Sequence, residues 1–343
     1  MIKKIKVEDA VGTRLAHDIT EIRPGEFKGT AFRKDHEVCN EDICHLQKLG
    51  KNHLYLIDLA DDEIHENQAA AILAGSLAGA GIHWQDDPSE GKIGLRAAID
   101  GLLKIDAAAL AAFNMVDEVM CATLHSHTLV KKGELVAATR AIPLVMKRAP
   151  VERAAAIASQ SGGVVSVKPL NKAKAGLIIT GSEVYHGLIQ DKFAPTLSAK
   201  ITDLGSEVGG VTFAPDDEQM IVEAIRGHLN SGCDLLLVSG GLSVDPDDVT
   251  RKAIHMAGAR DIHYGAAALP GAMFLVACIG DIPLLGVPAC GLHHRVTVLD
   301  LILPRILAGE KIGKKDLAFL GHGGLCKDCP ECVYPHCPFG KGI

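Results

Sequence analysis

Four cysteines lie close together near the end of the sequence, at Cys326, Cys329, Cys332 and Cys337. Four thiolates at this C-x2-C-x2-C-x4-C spacing can close around Zn²⁺ or hold an iron–sulfur cluster. The bacterial ferredoxin run differs, because it has three residues before its last cysteine. A chain of this length does not need disulfides to fold, so the clustered thiols are predicted to bind a metal. Zinc and an iron–sulfur cluster remain open as alternatives.

Three short loops combine glycine or proline with small polar residues, and each follows a predicted strand. They are Thr180-Gly181-Ser182-Glu183, Ser239-Gly240-Gly241-Leu242-Ser243 and Pro288-Ala289-Cys290-Gly291. Glycine lets backbone N–H groups approach a ligand closely, and hydroxyls add hydrogen bonds. If the strands are parallel, their carboxyl ends meet at one edge of the sheet, where ligands bind. The loops therefore predict one shared cavity for a phosphate-bearing ligand.

Acidic residues lie in or near these loops. Glu183 lies in the first loop, Asp216 and Asp217 follow the predicted strand over 206–213, and Asp245, Asp247 and Asp248 follow the second loop. Carboxylates around a phosphate repel it unless a divalent cation lies between them, and Mg²⁺ is the usual ion. A structural alternative stays open for each feature. The glycines also suit tight turns, and Asp247 and Asp248 also suit a helix start, where carboxylates are stabilising.

The elements that must position these residues alternate between strand and helix. Strands are predicted over 175–180, 206–213 and 234–239, with two or three more between Ile262 and Val287. Helices are predicted over 191–205, 216–230, 247–257 and 292–307. Such alternation indicates an α/β fold with a parallel-dominated sheet and helices on both faces. Residues 1–170 are predicted to form a mixed α+β, strand-rich and helical region, residues 174–312 the α/β domain, and residues 313–343 a Cys-rich tail.

Composition narrows the classes of function. Hydrophobic residues make up 48% and charged residues 22% of the 343 residues, which is typical of globular proteins. The formal net charge of -7 argues against nucleic-acid binding, which depends on excess positive charge. The most apolar stretch, from Gly265 to Pro288, is interrupted by proline and glycine, so no membrane segment is predicted. A cytoplasmic protein is expected.

The loop motifs resemble a known family. Thr180-Gly181-Ser182-Glu183-Val184, and Ser239-Gly240-Gly241-Leu242-Ser243 with Asp248 and Thr250 downstream, are similar to the molybdopterin-binding domain of the molybdopterin molybdenumtransferase family and of molybdopterin adenylyltransferases. Leu269-Pro270-Gly271 and Gly286-Val287-Pro288 match two further loops of the transferases. The resemblance covers roughly residues 174–310, and the segment Asp9–Ala16 is similar to the transferase opening.

The resemblance implies a three-layer α/β/α domain that binds molybdopterin or adenylylated molybdopterin, with molybdate inserted with the help of Mg²⁺. Carried over by position, the ligand-binding residues are Thr180, Gly181, Ser182, Ser239, Gly240, Gly241, Ser243, Thr250, Pro288 and Gly291. The residues that would hold the cation or position water are Asp248, Asp217 and Glu183. Family analogy also implies a homo-oligomer, either a dimer or a trimer.

The sequence departs from the transferase pattern in three places. Ser182 replaces the first residue of an acidic pair, Ala272 stands where a lysine follows Pro-Gly, and Ala289-Cys290-Gly291 replaces Gly-Asn-Pro. The missing lysine would have helped to hold molybdate or phosphate. Three functions therefore stay open: an enzyme of molybdenum-cofactor biosynthesis, a non-catalytic carrier or sensor of that cofactor, and a nucleotide pyrophosphate hydrolase of the competence-damage-inducible type.

Overall fold

The chain forms two compact units. The computed structural model describes residues 2–23, 26–57, 59–160, 162–242 and 249–342. The first unit comprises residues 1–98, 105–124 and 132–166, and the second comprises 99–104, 125–131 and 167–343. The division after residue 166 lies near the predicted boundary between residues 1–170 and residues 174–312. Two short segments of the amino-terminal half nevertheless belong to the second unit.

Residues up to 168 form mostly antiparallel strand pairs and four α-helices. The strands are β1 Ile2–Lys6, β2 Ile19–Arg23, β3 Phe27–Phe32, β4 His53–Ile57, β5 Glu63–His65, β6 Ile82–His83, β7 Lys92–Ala97, β8 Gly101–Ile105, β9 Val119–Thr123, β10 Leu129–Val130, β11 Leu135–Ala141, β12 Val145–Lys147 and β13 Val165–Lys168. The helices are α1 Asn40–Lys48, α2 Glu66–Leu77, α3 Ala107–Asn114 and α4 Arg148–Ser159, with a 3-10 helix at Val7–Asp9. The largest sheet of the first unit has the strand order β6-β7-β11-β9.

The second unit is built on a six-stranded sheet. Its strands are β14 Lys174–Thr180, β15 Glu207–Ala214, β16 Leu235–Ser239, β17 Arg260–Tyr264, β18 Leu275–Ile279 and β19 Ile282–Val287. Its helices are α5 Ser182–Tyr185, α6 Phe193–Asp203, α7 Glu218–Asn230, α8 Thr250–Met256, α9 Val298–Leu307 and α10 Lys314–Phe319, with a 3-10 helix at Ala289–Leu292. The order is β15-β14-β16-β19-β18-β17. Strands β15, β14, β16 and β19 run parallel, and β18 and β17 complete the sheet in antiparallel pairing.

Side chains of alternate strand residues pack on opposite faces of this sheet. Leu177 and Ile179 of β14 belong to one buried cluster, together with residues of α6 and α9. Ile178 belongs to another buried cluster, together with residues of α7 and α8. All five residues of β16 are buried, as expected for a central parallel strand covered on both faces. The predicted α/β class is therefore confirmed.

The last long helix begins later than the sequence pattern predicts. We expected it to start near residue 292, but α9 begins at Val298, after a 3-10 helix and a connecting segment. Thr297 and Asp300 form a capping box, in which the Asp300 carboxylate accepts a hydrogen bond from the Thr297 backbone N–H (2.7 Å). This cap fixes the helix start because it satisfies donors that the helix itself leaves unpaired.

The Cys-rich tail packs on the core of the second unit. Leu317, Leu320 and Phe339 are buried in the same cluster as α6 and α9, and three of the tail cysteines pack against that cluster. Among the described residues, none of the helices has the length and apolar character needed to cross a bilayer.

Candidate functional site

A cavity of about 630 Å³ opens at the carboxyl ends of β16 and β19. It is lined by Gly240, Gly241, Leu242, Leu269, Pro270, Gly271, Ala272, Met273, Pro288, Ala289, Cys290, His294, Leu325, Cys326 and Asp328. Most of these residues are small or apolar. The cavity lies where an open parallel sheet is expected to bind a ligand, and its volume is typical of small-molecule sites.

The first wall of the cavity is the Gly240-Gly241 turn, which only glycine fits. Both residues adopt positive φ angles, +99° and +55°. A Cβ atom on Gly240 would lie 2.3 Å from the carbonyl oxygen of Thr180, and one on Gly241 would lie 2.4 Å from the Thr250 hydroxyl. The turn is therefore packed tightly against the end of β14, and its bare backbone forms the cavity wall.

Three predicted ligand-binding hydroxyls lie behind this turn instead of lining the cavity. Thr180, Ser239 and Thr250 are all buried. The Thr180 hydroxyl donates to the Ser239 carbonyl oxygen (3.2 Å) and lies 3.2 Å from the Thr250 hydroxyl. The Ser239 hydroxyl has no hydrogen-bond partner among the described residues. These contacts join the ends of β14 and β16 to the start of α8.

The first loop lies at the same edge of the sheet but does not line the cavity. Gly181 follows β14 at a φ of +137°, and Thr180 is in contact distance of the Gly240 turn. The Ser182 backbone N–H and hydroxyl both donate to the Asp216 carboxylate, at 2.8 Å and 2.9 Å. Glu183 is exposed. The first and second loops therefore meet at one rim, as the sequence predicts.

The third loop contributes three of its four residues to the cavity. Pro288, Ala289 and Cys290 line it, whereas Gly291 is buried and outside the lining. Burial raises the pKa of the Cys290 thiol, so this group is neutral near pH 7. Ala272 also lines the cavity, at the position where the resemblance implies a lysine.

The described lining carries little charge. His294 and Asp328 are its ionisable side chains besides the two cysteine thiols, and the His294 ring lies 3.6 Å from the Asp328 carboxylate. It contains no lysine or arginine. Among the described wall residues, backbone N–H groups are therefore the main hydrogen-bond donors available to an anionic group in this cavity.

The predicted cation site is not assembled by the acids that the structure describes. Asp217 is exposed and caps α7, where its carboxylate accepts a hydrogen bond from the Met220 backbone N–H (2.9 Å). Ser243 and Asp248 lie outside the described residues. Within the described ranges, no three His, Cys, Asp or Glu side chains are arranged to hold one metal ion. The described acids do not fit a Mg²⁺ site, and the tail thiols do not fit a site for a single zinc ion.

Sequence reasoning missed the part of the cavity wall that the tail provides. Leu269 and Leu325 form an isolated parallel bridge. The Cys326 backbone N–H donates to the Leu269 carbonyl oxygen (2.9 Å), and the Leu269 N–H donates to the Gly324 carbonyl oxygen (2.7 Å). These contacts bring Leu325, Cys326 and Asp328 to the cavity. The sequence offers no periodic signal for them, because they join segments more than fifty residues apart.

The second unit thus defines a class of protein: an α/β domain with a cavity at the carboxyl edge of a parallel sheet. Residues 176–308 match the family model described as "Probable molybdopterin binding domain". This segment is therefore similar to the molybdopterin-binding domain family, and the resemblance is confirmed for this part of the chain. Residues 4–58 match a second model, described as a domain of unknown function.

Curated relatives match only a short segment. A CinA-like protein of Mycolicibacterium vanbaalenii is 35% identical over 95 residues, which are 28% of this chain and 22% of that protein. A CinA-like protein of Mycobacterium avium is 34% identical over 82 residues, which are 24% of this chain and 19% of that protein. The match thus spans about a fifth of the length of these relatives.

Two solved structures are similar to part of the chain. The protein CinA of unknown function from Thermoplasma acidophilum is 19% identical, and the match covers 40% of this chain and 99% of that one at a TM-score of 0.36. The molybdopterin biosynthesis enzyme MoaB from Thermus thermophilus is 20% identical, and the match covers 40% of this chain and 98% of that one at a TM-score of 0.35.

Proposed function

We propose that the second unit binds molybdopterin, or a closely related pterin phosphate, in the cavity beside the Gly240-Gly241 turn. The observation that carries this proposal is the position of the cavity: it lies at the carboxyl edge of the parallel sheet, and most of its lining belongs to the segment that matches the molybdopterin-binding family. A three-layer α/β/α arrangement, which the resemblance implies, accords with helices on both faces of the sheet.

The walls suit the two ends of such a ligand. Apolar residues such as Leu242, Leu269 and Met273 would pack against the flat pterin ring. The backbone at Gly240 and Gly241, which carries no side chains, would approach the phosphate and donate hydrogen bonds. Thr180, Ser239 and Thr250 would support this backbone from behind. The rim of the cavity would be shaped by Gly181, Ser182 and Gly291. Ser243 is proposed to contact the ligand directly.

Binding without molybdate insertion is the activity that we favour. The described lining has no lysine or arginine to hold molybdate, and Ala272 occupies the position of the expected lysine. Asp217 is engaged as a helix cap and Glu183 is exposed, so Asp248 is the one remaining candidate of the predicted catalytic set. We therefore propose a carrier or sensor of the molybdenum cofactor.

A single-turnover experiment tests this proposal. The full chain is mixed with adenylylated molybdopterin, molybdate and Mg²⁺, and bound pterin is measured by the fluorescence of its oxidised form. We expect stoichiometric pterin retention without AMP release. AMP release that depends on molybdate would instead establish the transferase activity. Failure to retain pterin would show that molybdopterin is not the ligand.

A second candidate is a nucleotide pyrophosphate hydrolase. It is favoured by the similarity of a segment of 95 residues to CinA-like proteins. The same chain incubated with ADP-ribose and Mg²⁺ tests it, because hydrolysis releases AMP without any pterin. The homo-oligomer stays a prediction, which light scattering of the purified chain would check. The cytoplasmic location also stays a prediction.

A further inference from the structure

Leu242, the residue that follows the Gly240-Gly241 turn, is held by the sheet through both its main chain and its side chain. The Tyr264 hydroxyl donates to the Leu242 carbonyl oxygen at 2.7 Å. The Leu242 side chain is only 3% exposed and belongs to the buried cluster that contains Leu275. A Cβ atom on Gly286 would lie 3.0 Å from the Leu242 Cδ1 atom, so the leucine side chain lies directly over this glycine. The chain is therefore fixed immediately after the turn.

The ring of the same tyrosine makes a second contact, with the start of α8. The Arg251 guanidinium lies over the Tyr264 ring, and its Cζ atom is 4.4 Å from the ring centroid. A cation at this distance is attracted to the face of an aromatic ring. Arg251 is the second residue of α8. Tyr264 therefore contacts the chain on both sides of residues 243–248, which lie outside the described residues.

The register of the sheet explains why these residues meet. Tyr264 of β17 pairs with Leu275 of β18. Leu275 pairs with Gly286 of β19, which in turn pairs with Val238 of β16. Residues paired in this way have their side chains on one face of the sheet. Because Gly286 has no side chain, it leaves a gap in this row, and the Leu242 side chain lies over that gap.

We propose that Tyr264 is a positioning residue for the ligand cavity, because it holds the Gly240-Gly241 turn in the shape that presents its backbone to the ligand. Tyr264 is outside the described lining of the cavity, so its effect on binding passes through Leu242 and Arg251. A turn that is held in its bound shape before the ligand arrives loses less conformational entropy on binding. The effect on pterin binding rests on the proposed function, whereas the hold on the turn does not.

Tyr264→Phe tests the hydroxyl contact, because it removes the donor to Leu242 and keeps the ring. Molybdopterin is mixed anaerobically with each chain, and its association and dissociation are followed by stopped-flow measurements. We expect the apparent association rate constant to fall at least fivefold and the dissociation rate constant to stay within twofold. The reason is that only chains with a correctly formed turn bind the ligand, and the variant has fewer of them.

Tyr334→Phe is the matched control. The Tyr334 hydroxyl also donates to a backbone carbonyl oxygen, that of Asp300 (3.3 Å), but Tyr334 is outside the described lining of the ligand cavity. This variant should leave both rate constants unchanged. Equal slowing of association in the two variants would mean a general loss of structure and would overturn the role of Tyr264. Arg251→Met should slow association at least twofold, and Arg251→Lys, which keeps a cation over the ring, should restore most of the rate.

Amide hydrogen exchange of the ligand-free chain tests the hold on the turn directly. We expect the amides of Gly240, Gly241 and Leu242 to exchange at least threefold faster in Tyr264→Phe than in the natural chain, with no change in Tyr334→Phe. Unchanged exchange in Tyr264→Phe would disprove the hold on the turn. Faster exchange with unchanged association would disprove its effect on binding. If the natural chain binds no pterin, the proposed function fails, and hydrogen exchange still decides whether Tyr264 holds the turn.

Discussion

The backbone of Gly240 lies directly against the carbonyl oxygen of Thr180, so that the end of β16 and the end of β14 form one rim of the proposed ligand cavity. A Cβ atom on Gly240 would be 2.3 Å from that oxygen, far inside the distance at which the two atoms begin to repel. Because the oxygen belongs to a buried strand end, the turn itself would have to move.

We predict that Gly240→Ala abolishes pterin retention and lowers the free energy of unfolding by roughly 2–3 kcal/mol, from overlap and the positive φ together. Gly232→Ala is the matched control. Gly232 also has a positive φ (+75°), but no atom lies within 4 Å of the added carbon. Gly232→Ala should lower the free energy of unfolding by about 1 kcal/mol and leave pterin retention unchanged. Urea unfolding and oxidised-pterin fluorescence measure both effects, and equal loss of binding in both variants would contradict the role of the turn.

Asp216 and Ser182 give a second prediction, because the Asp216 carboxylate accepts two hydrogen bonds from the start of α5. We expect Ser182→Ala, Asp216→Ala and the double variant to show a coupling energy of about 0.5–1.5 kcal/mol in urea unfolding, which is below the range for hydrogen bonds to charged groups because this contact is exposed to solvent. Pterin affinity should change little, because neither side chain lines the cavity. A large loss of affinity would place the first loop in the site after all.

The positions of the loops could be predicted from sequence, but the orientation of their hydroxyls could not. An apolar run such as Leu235–Ser239 identifies a buried parallel strand, and parallel strands bring their following loops to one edge. Whether Ser239 faces the cavity or the core depends on how the glycine turn packs against Thr180. That contact joins residues about sixty positions apart, and local residue types do not encode it.

The tail illustrates the same limit. Its cysteine spacing predicts metal chemistry, because spacing is a local property. Leu325 and Cys326 reach the proposed ligand cavity because of the bridge between Leu269 and Leu325, and no sequence periodicity predicts that bridge. The boundary between the units could not be predicted from sequence either. Residues 99–104 and 125–131, which include most of β8 and all of β10, lie in the amino-terminal half of the chain but belong to the second unit.

Glu66, in the first unit, gives a prediction about pH. Its side chain is nearly buried (6% exposed), and burial raises the pKa of its carboxyl from 4.5 to about 7, against the opposing effect of Arg140. The folded state therefore holds this proton more tightly than the unfolded state does. The resulting stability is fully present below pH 4.5 and is lost as the pH rises through 7.

Glu66→Gln should remove this pH dependence, because the amide stays neutral. At pH 8 we expect the variant to exceed the natural chain in free energy of unfolding by roughly 2–3 kcal/mol, and near pH 4.5 the two should be similar. Urea unfolding at several pH values between 4.5 and 8 measures the difference. Glu152→Gln, an exposed position on α4, is the control and should show no such trend. A constant difference between Glu66→Gln and the natural chain across this range would show that the carboxyl does not ionise there.

Glu310 joins two cations of the second unit and supplies the last prediction. Its carboxylate lies 2.6 Å from the Lys104 ammonium and 2.9 Å from the Arg305 Nε atom, and its side chain is only 14% exposed. The Arg305 guanidinium is 9% exposed and also pairs with Asp316. Removing the Glu310 charge would leave two cations together with reduced compensation in a partly buried place. Such a change is costly because the remaining charges cannot regain their full hydration.

We expect Glu310→Gln to lower the free energy of unfolding by roughly 2–3 kcal/mol at pH 7. This loss is smaller than that for breaking a fully buried ion pair, because the Lys104 side chain is partly exposed to solvent. The control is Asp100→Asn, which weakens the pair between Asp100 and Lys131. Both side chains of that pair are largely exposed, so the loss should stay under about 0.5 kcal/mol. Thermal and urea unfolding at low and high salt distinguish the two pairs, because added salt screens the exposed pair and has less effect on the Glu310 network. Equal losses in the two variants would mean that the Glu310 network contributes no more than a surface ion pair.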